Sequence, residues 1–133
     1  MARCIGDIGI CEVCRVELPI RLVSEANRRG HWSKHDARRE AQRNTAYVTV
    51  SLALRKARAN TKSGRFRVRI TRIAPRRLDS DNLARSCKST RDGVADALGV
   101  DDGSERVLWV VDQRQGRARE YAVEILIETE MRN

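Results

Sequence analysis

Two pairs of aspartates have the residue type and the spacing of a possible metal or catalytic site. Asp79 and Asp81 stand two apart, directly after the basic pair Arg76-Arg77, and Asp101-Asp102 follows further along the chain. Carboxylate oxygens are the ligands that Mg²⁺ and Mn²⁺ prefer. A cation bound in this way neutralises phosphate charge and activates water for hydrolysis. The pattern therefore indicates metal-dependent chemistry on a phosphate, with Mg²⁺ as the expected ion and Mn²⁺ as the alternative.

Each pair also has a structural explanation. An aspartate at a helix start accepts backbone N–H bonds and meets the positive end of the helix dipole, which accounts for one of Asp79 and Asp81. Asp101-Asp102-Gly103 is ordinary turn chemistry. A helix between the pairs would be roughly 25–30 Å long, so they meet only if it is shorter or bent, or if a dimer brings them together. On geometry alone, both readings of the carboxylates stay open.

The charge of the chain is strongly divided. Lys and Arg total 27 against 18 Asp and Glu, which gives a net charge of +9. Residues 1–78 hold 19 basic and 6 acidic residues, whereas residues 79–133 hold 8 and 12. A basic platform favours a polyanionic partner, either nucleic acid or an anionic membrane surface. Carboxylates set beside phosphates suit a metal-dependent nuclease better than a pure DNA binder, because without a cation they repel each other.

Histidine and cysteine offer weaker alternatives for a metal. His31 and His35 stand four apart, a spacing that is weak evidence for a zinc hydrolase. Trp32 suits either base stacking or the core. The four cysteines are Cys4, Cys11, Cys14 and Cys87; the second pair that a structural zinc site requires is missing, so buried thiols are expected.

The sequence also suggests a location. No apolar run approaches the roughly 20 residues of a membrane span, and the first residues lack the apolar core of a signal peptide. We therefore expect a cytoplasmic protein with reduced thiols that does not associate with a membrane.

Hydrophobic periodicity predicts the elements of the first half. Glu12 to Ile20 alternates like a strand that stops near Pro19. Ser33 is a candidate cap for a helix running through the 50s, with Ala37, Ala41, Val48 and Leu52 on one stripe. The second half of that helix also alternates like a strand, so its type stays open.

The second half of the chain has clearer signals. Arg65 to Ile70 alternates as a half-buried strand whose outer face carries Arg65, Arg67 and Arg69. Asp79 to Leu98 is predicted to be a helix closed by Gly99, with its core side separated from a polar side. The core side holds Leu83, Cys87, Val94, Ala97 and Leu98, and the polar side holds Asp81, Arg85, Lys88 and Asp92. Val107–Val111 and Tyr121–Glu128 are predicted strands, joined by a loop over Gln113 to Arg119.

These elements predict an α/β (α+β) fold. A single domain over residues 1–133 is expected, with a mixed β-sheet of about four to five strands packed against two main helices. Residues 1–11 carry no clear signal and are set apart as irregular.

The motifs around the first aspartate pair resemble those of a known family. Asp79-x-Asp81-Asn82-Leu83 follows a basic pair and a strand; Lys88, Asp92 and Asp96-Ala97-Leu98 come next, and then Asp101-Asp102. The order and spacing resemble the core of RusA-type Holliday junction resolvases, especially phage and prophage members. The resemblance covers roughly residues 16–128, including a polar loop at Ser24-Glu25-Ala26-Asn27.

The resemblance implies a RusA-like fold, a homodimer and paired nicking of four-way junction DNA. It implies metal ligation by Asp79, Asp81 and Asp102, with Asp101 as the alternative one residue away. It implies an assisting cation at Lys88, or at Arg85 because the spacing is about three residues longer than in shorter members. The residues expected to contact DNA are Asn27, Arg28, Arg29, Lys34, Arg65, Arg67, Arg69, Arg76 and Arg77. The alternatives are a non-catalytic DNA-binding protein and an RNA-binding protein.

Overall fold

The computed structural model describes residues 3–5, 9–23, 32–101 and 103–130. Its elements, in chain order, are β1 (Arg3–Ile5), β2 (Ile10–Leu18), α1 (Trp32–Lys56), β3 (Phe66–Ala74), α2 (Ser80–Ser86), α3 (Lys88–Leu98), β4 (Val107–Gln115) and β5 (Ala122–Glu130). The mixed α+β class predicted from the sequence is confirmed.

The strands form one mixed sheet in the order β1-β2-β5-β3-β4. Strand β5 pairs antiparallel with both β2 and β3, and β1 pairs antiparallel with β2. Strands β3 and β4 run parallel, in register from Phe66 opposite Val107 to Ala74 opposite Gln115. A parallel pair requires a crossover connection, which α2 and α3 supply here.

Alternation along the central strands explains where the core lies. Phe66, Val68 and Ile70 of β3 are buried, as are Ile125 and Ile127 of β5, while the residues between them are partly exposed or ion-paired. Side chains of one parity point to one face of a sheet, so this apolar face packs under the helices. The face carrying Arg67 and Arg69 is turned the other way.

Helix α1 confirms the predicted helix, and its buried face is not the stripe noted in the sequence. The buried residues are Gln42, Ala46, Val50 and Leu54, which repeat every four residues. The stripe whose spacing indicated the helix, Ala37, Ala41, Val48 and Leu52, is exposed. Both sets of residues repeat with helical spacing. The set that packs against the sheet is the one that contains Ala46, Val50 and Leu54.

Other boundaries differ from the predictions by a few residues. Helix α1 begins at Trp32, so Ser33 is its second residue rather than its cap. The single helix predicted from Asp79 is divided at Cys87 into α2 and α3, and Gly99 ends α3 in the left-handed conformation at φ 71°. Strand β4 extends to Gln115, into the predicted loop. Residues 3–5 and 10–11 lie in strands, which corrects the expectation of an irregular start.

Helices α1 and α3 pack closely because of one small residue. A Cβ added at Gly93 would clash with the Arg43 carbonyl oxygen and with the Ala46 side chain. The Arg43 guanidinium also spans the two helices to Asp96, with Nε–Oδ2 2.7 Å and Nη2–Oδ1 3.0 Å. This ion pair raises the pKa of Arg43, and it fixes the side of α3 that faces α1.

Candidate active site at the carboxyl ends of β3 and β4

The parallel pair places the first aspartates at one defined edge of the sheet. Strand β3 ends at Ala74, and the chain then turns through residues 75–78 to Asp79 at the start of α2. Strand β4 ends beside it at Gln115. Ligands of α/β proteins commonly bind outside the carboxyl ends of parallel strands. Asp79 and Asp81 follow the carboxyl end of one strand of this sheet's parallel pair.

Side chains of β4 hold the turn that leads to Asp79. The Gln113 amide donates to the Leu78 carbonyl at 2.7 Å and accepts from the Leu78 N–H at 2.9 Å. Gln115 donates to the Pro75 carbonyl at 3.3 Å. The Gln113 side chain thus pairs with both backbone polar groups of Leu78, as a neighbouring strand would, and fixes the backbone immediately before Asp79.

A buried arginine holds the same turn from β3. Arg72 is 5% exposed, and its Nη1 donates to the Arg76 carbonyl at 2.6 Å. Its Nε donates to the Leu22 carbonyl at 2.9 Å, near the end of the segment that follows β2. Burial lowers the pKa of Arg72. The Arg72 guanidinium thus links two backbone segments, one at Leu22 and the other at Arg76, shortly before Asp79.

Asp79 caps α2 with both of its carboxylate oxygens engaged. Oδ1 accepts from the Asn82 backbone N–H at 2.8 Å, and Oδ2 accepts from the Asn82 side-chain amide at 3.0 Å. Asp79 is therefore the aspartate that caps the helix start, the structural role expected for one of the pair. Asp81, in the first turn of α2, is exposed. The motif therefore combines one carboxylate of fixed orientation with one open to solvent.

The cations proposed to assist lie on the exposed side of the same helical segment. Arg85 and Lys88 are exposed, and Lys88 Nζ lies 3.7 Å from Asp92 Oδ1. This confirms the predicted polar side, and Leu83, Cys87, Val94 and Leu98 are buried on the other side, as predicted. Arg85, Lys88 and Asp92 also line one side of an open groove of about 770 Å³. Its other side is formed by the α1 residues Arg39, Glu40, Arg43 and Asn44.

The second aspartate pair lies at the opposite end of the helical crossover. Asp101 is exposed beyond Gly99, and its carbonyl accepts from the Ser104 N–H at 2.9 Å, which confirms the predicted turn. Asp102 is outside the described residues. The segment from α2 through α3 would span roughly 28 Å as one straight helix, but it is divided at Cys87, so its length alone does not fix the distance between Asp101 and Asp79. Among the described residues, no group of three acidic, histidine or cysteine side chains could hold a metal ion.

The predicted DNA-contacting residues are spread over the chain. Arg76 and Arg77 are exposed in the turn before Asp79, and Arg65 is exposed before β3. Arg67 does not offer a free charge, because it donates to the buried carboxylate of Glu128 at 2.9 Å. Arg69 is half-buried on the same open face. Asn27, Arg28 and Arg29 lie outside the described residues, as does the side chain of Lys34, which stands in α1.

The cysteines show no zinc-like cluster among the described residues. Cys4 pairs with Cys11 across β1 and β2, and Cys11 is fully buried. Burial raises the pKa of Cys14 and of Cys87 to about 11 in each case. Both thiols are therefore protonated near neutral pH. His31 lies outside the described residues, and so do the side chains of Trp32 and His35.

Sequence reasoning missed Gln113 and Arg72, and one of them had a usable signal. Phe66, Val68, Ile70 and Arg72 share one parity in β3, so a charged residue stands at a core-facing position. A buried charge needs hydrogen-bond partners, which marks Arg72 as a structural or functional feature. Gln113 carries no comparable signal, because it stands in a polar stretch that is also typical of a loop.

Comparisons with known proteins do not assign the chain. No protein-family model matches the sequence, and no curated protein matches it. Within the described part of the chain, no helix has the length and apolar character needed to cross a membrane.

Proposed function

We propose that this chain is a metal-dependent endonuclease that cuts branched DNA, of the RusA type, and that it acts as a homodimer on four-way junctions. The observation that carries the proposal is the position of Asp79 and Asp81 at the start of α2, directly after a turn that β3 and β4 hold by hydrogen bonds. The exposed pair Arg76 and Arg77 stands in that same turn. Carboxylates and cations so arranged suit a phosphodiester substrate.

The donor set fits Mg²⁺, with Mn²⁺ as the alternative. Mg²⁺ keeps several waters and is usually bound by one or two carboxylates together with substrate phosphates. In the proposed site Asp79 and Asp81 would supply these two carboxylates. Asp102, or Asp101, is proposed as a further ligand. Whether this ligand comes from the same chain or from the partner subunit is a question for the mixing of inactive variants.

Different residues have different roles in the proposed hydrolysis. When bound, the metal lowers the pKa of its water and neutralises phosphate charge. Asn82 orients the Asp79 carboxylate through two hydrogen bonds, and Gln113 fixes the backbone before it. Lys88, or Arg85 on the same exposed side, stabilises negative charge that develops on the phosphate.

The basic half of the chain binds the DNA backbone. Arg65, Arg76 and Arg77 are exposed, and Asn27, Arg28, Arg29, Lys34 and Arg69 complete the proposed set. Arg67 is proposed as a weaker contributor, since Glu128 already neutralises it. Binding through several phosphates releases counterions, so affinity should fall steeply as salt rises.

A non-catalytic DNA-binding protein is the second candidate. The observation that favours it is the hydrogen bonding of Asp79, since both of its oxygens already serve as a helix cap. This candidate predicts junction binding without cleavage in any divalent metal.

One variant separates the two candidates. Asp81→Asn removes an exposed carboxylate that the structure gives no capping bond, so the fold should persist. Under the nuclease proposal the variant binds a four-way junction as well as the wild type, and metal-dependent cleavage is lost. Cleavage by Asp81→Asn at the wild-type rate would remove Asp81 from the proposed site.

A further inference from the structure

The connection between β4 and β5 runs along the edge of the sheet at which β3 ends. We call residues 116–121 the β4–β5 loop. Strand β3 lies between β4 and β5 in the sheet, so this loop has to pass the carboxyl end of β3. The Gly116 N–H donates to the Ala74 carbonyl at 2.8 Å, and Gln115 donates to the Pro75 carbonyl at 3.3 Å. The loop is thus fastened to the turn that leads to α2.

This arrangement brings together exposed arginines from both halves of the chain. Arg76 and Arg77 are exposed in the turn after β3, and Arg117 and Arg119 are exposed in the β4–β5 loop. None of these four side chains forms a hydrogen bond or an ion pair with another described residue. The Glu120 carboxylate accepts from the Arg117 backbone N–H at 2.9 Å, so it is bound to the loop backbone. The four guanidinium groups are therefore available to a ligand at this edge.

We infer that the β4–β5 loop is a DNA-contacting element, in which Arg117 and Arg119 bind phosphates next to the one that lies at Asp79 and Asp81. The inference rests on the proposed function, because it takes branched DNA as the partner and the two aspartates as the place of cleavage. It assigns a binding role to arginines of residues 79–133, the half of the chain in which 12 acidic residues outnumber 8 basic ones.

The chemistry of this edge favours a phosphate backbone as the ligand. The cations on the turn and the loop are all arginines, and a planar guanidinium pairs with phosphate oxygens through two parallel hydrogen bonds. Arg21 adds a further exposed guanidinium, stacked 4.3 Å from the centroid of the Tyr121 ring at the end of the loop. The exposed Asp81 would repel an acidic peptide, whereas a cation held by the aspartates would attract a phosphodiester to the same edge.

The conformation of the loop allows a conservative test variant. Arg119 adopts the left-handed conformation at φ 63°, which asparagine also adopts readily. Arg117→Gln combined with Arg119→Asn therefore removes two charges and retains the turn, in which the Glu120 N–H donates to the Arg117 carbonyl at 3.0 Å. Arg55→Gln combined with Lys56→Gln is the matched control, because both residues are exposed in the last turn of α1, before the chain reaches the start of β3. The two double variants have the same net charge.

The first test is the affinity of the full chain for a labelled four-way junction, measured by fluorescence anisotropy in EDTA over a range of salt concentrations. Loss of two phosphate contacts in the loop variant should weaken binding roughly tenfold or more and lower the slope of log affinity against log salt by about two. The α1 control should stay within about threefold of the wild type and keep its slope. Equal losses in both double variants, or no loss in the loop variant, would overturn the inference. Displacement of the junction by poly-glutamate more readily than by unlabelled duplex DNA would also overturn it, in favour of an acidic polypeptide partner.

Single-turnover cleavage in Mg²⁺ separates phosphate binding from a structural role of the loop. The loop variant should need more protein for half-maximal cleavage, and its rate at saturating protein should stay within about threefold of the wild type. A lower saturating rate with unchanged affinity would show that the loop positions the aspartates, and it would overturn the inference. Binding and cleavage are measured separately. A wild type that binds through the loop and cuts nothing removes the nuclease proposal alone, and a loop variant that binds and cuts junctions like the wild type removes this inference alone.

Discussion

The two acidic regions of the molecule differ in how firmly the fold holds them. Asp79 follows a turn to which Arg72 and Gln113 donate hydrogen bonds, and its own oxygens are oriented by Asn82. Asp101 is exposed after Gly99, and its backbone carbonyl accepts a turn hydrogen bond from the Ser104 N–H. Both regions are rich in carboxylates, so composition alone does not separate them.

The difference indicates which region is prepared for a ligand. Groups already held in place bind without the cost of ordering side chains and loops. The Asp79 region meets this condition, whereas Asp101 would have to be placed by substrate, metal or a second subunit. We therefore regard Asp79 and Asp81 as the centre of the proposed site and Asp101-Asp102 as its accessory part.

The largest expected effect is that of Asp81→Asn on cleavage. Loss of the metal-binding carboxylate should reduce junction cleavage on the order of 10²–10³-fold, comparable to removing a group that stabilises transition-state charge. Affinity for the junction should change less than threefold, because the substitution removes no Lys or Arg that binds phosphate. Single-turnover cleavage and fluorescence anisotropy measure the two effects. Glu105→Gln, an exposed carboxylate at the other end of β4, should leave both unchanged.

Mixing two inactive variants tests whether the acidic regions act across subunits. If Asp102 serves the Asp81 of the other chain, an Asp81→Asn and Asp102→Asn heterodimer contains one intact site. The mixture should then recover single nicking of the junction, while each variant alone stays inactive. If the mixture remains inactive although the heterodimer forms, the two aspartates do not combine between subunits.

The turn before Asp79 gives a smaller, more selective effect. Gln113→Leu removes both hydrogen bonds to Leu78 at similar side-chain size, so Asp79 should lose its fixed position. Cleavage should fall about ten- to a hundredfold, since small displacements of reacting groups carry such costs. Junction affinity should stay within threefold of the wild type. Gln115→Leu removes a single longer hydrogen bond and serves as the control; an equal loss of cleavage in both variants would argue for general loosening of β4.

The smallest expected effects concern stability and compare the two regions directly. Asp79→Ala removes a helix cap and should lower the free energy of unfolding by about 0.5–2 kcal/mol. Asp101→Ala should change it by less than about 0.5 kcal/mol, as is usual for exposed positions. Urea denaturation measures both. Equal losses would mean that the fold holds the two regions alike.

Much of the fold follows from local patterns in the sequence. The alternation of Phe66, Val68 and Ile70 and the glycine at position 99 identify β3 and the end of α3, because parity and a left-handed residue act within a few positions. The core face of α1 does not follow, since two stripes have the same period and packing against a distant sheet selects one. The parallel pairing of β3 with β4 is equally non-local.

The candidate site divides in the same way. The motif around Asp79 and Asp81 is visible as residue types at short spacing. The hydrogen bonds by which Arg72 and Gln113 hold the turn before Asp79 are not visible in the sequence. These side chains reach the turn from β3 and β4, which become neighbours only in the folded sheet.

The most direct test of the nuclease proposal is cleavage of a labelled synthetic four-way junction beside a linear duplex of the same arms, with Mg²⁺, Mn²⁺ or EDTA. The proposal predicts paired nicks in the junction alone, in the presence of Mg²⁺ or Mn²⁺, and none in EDTA. Junction binding without cleavage in either metal would contradict it and would leave a basic DNA-binding protein whose Asp79 serves as a helix cap.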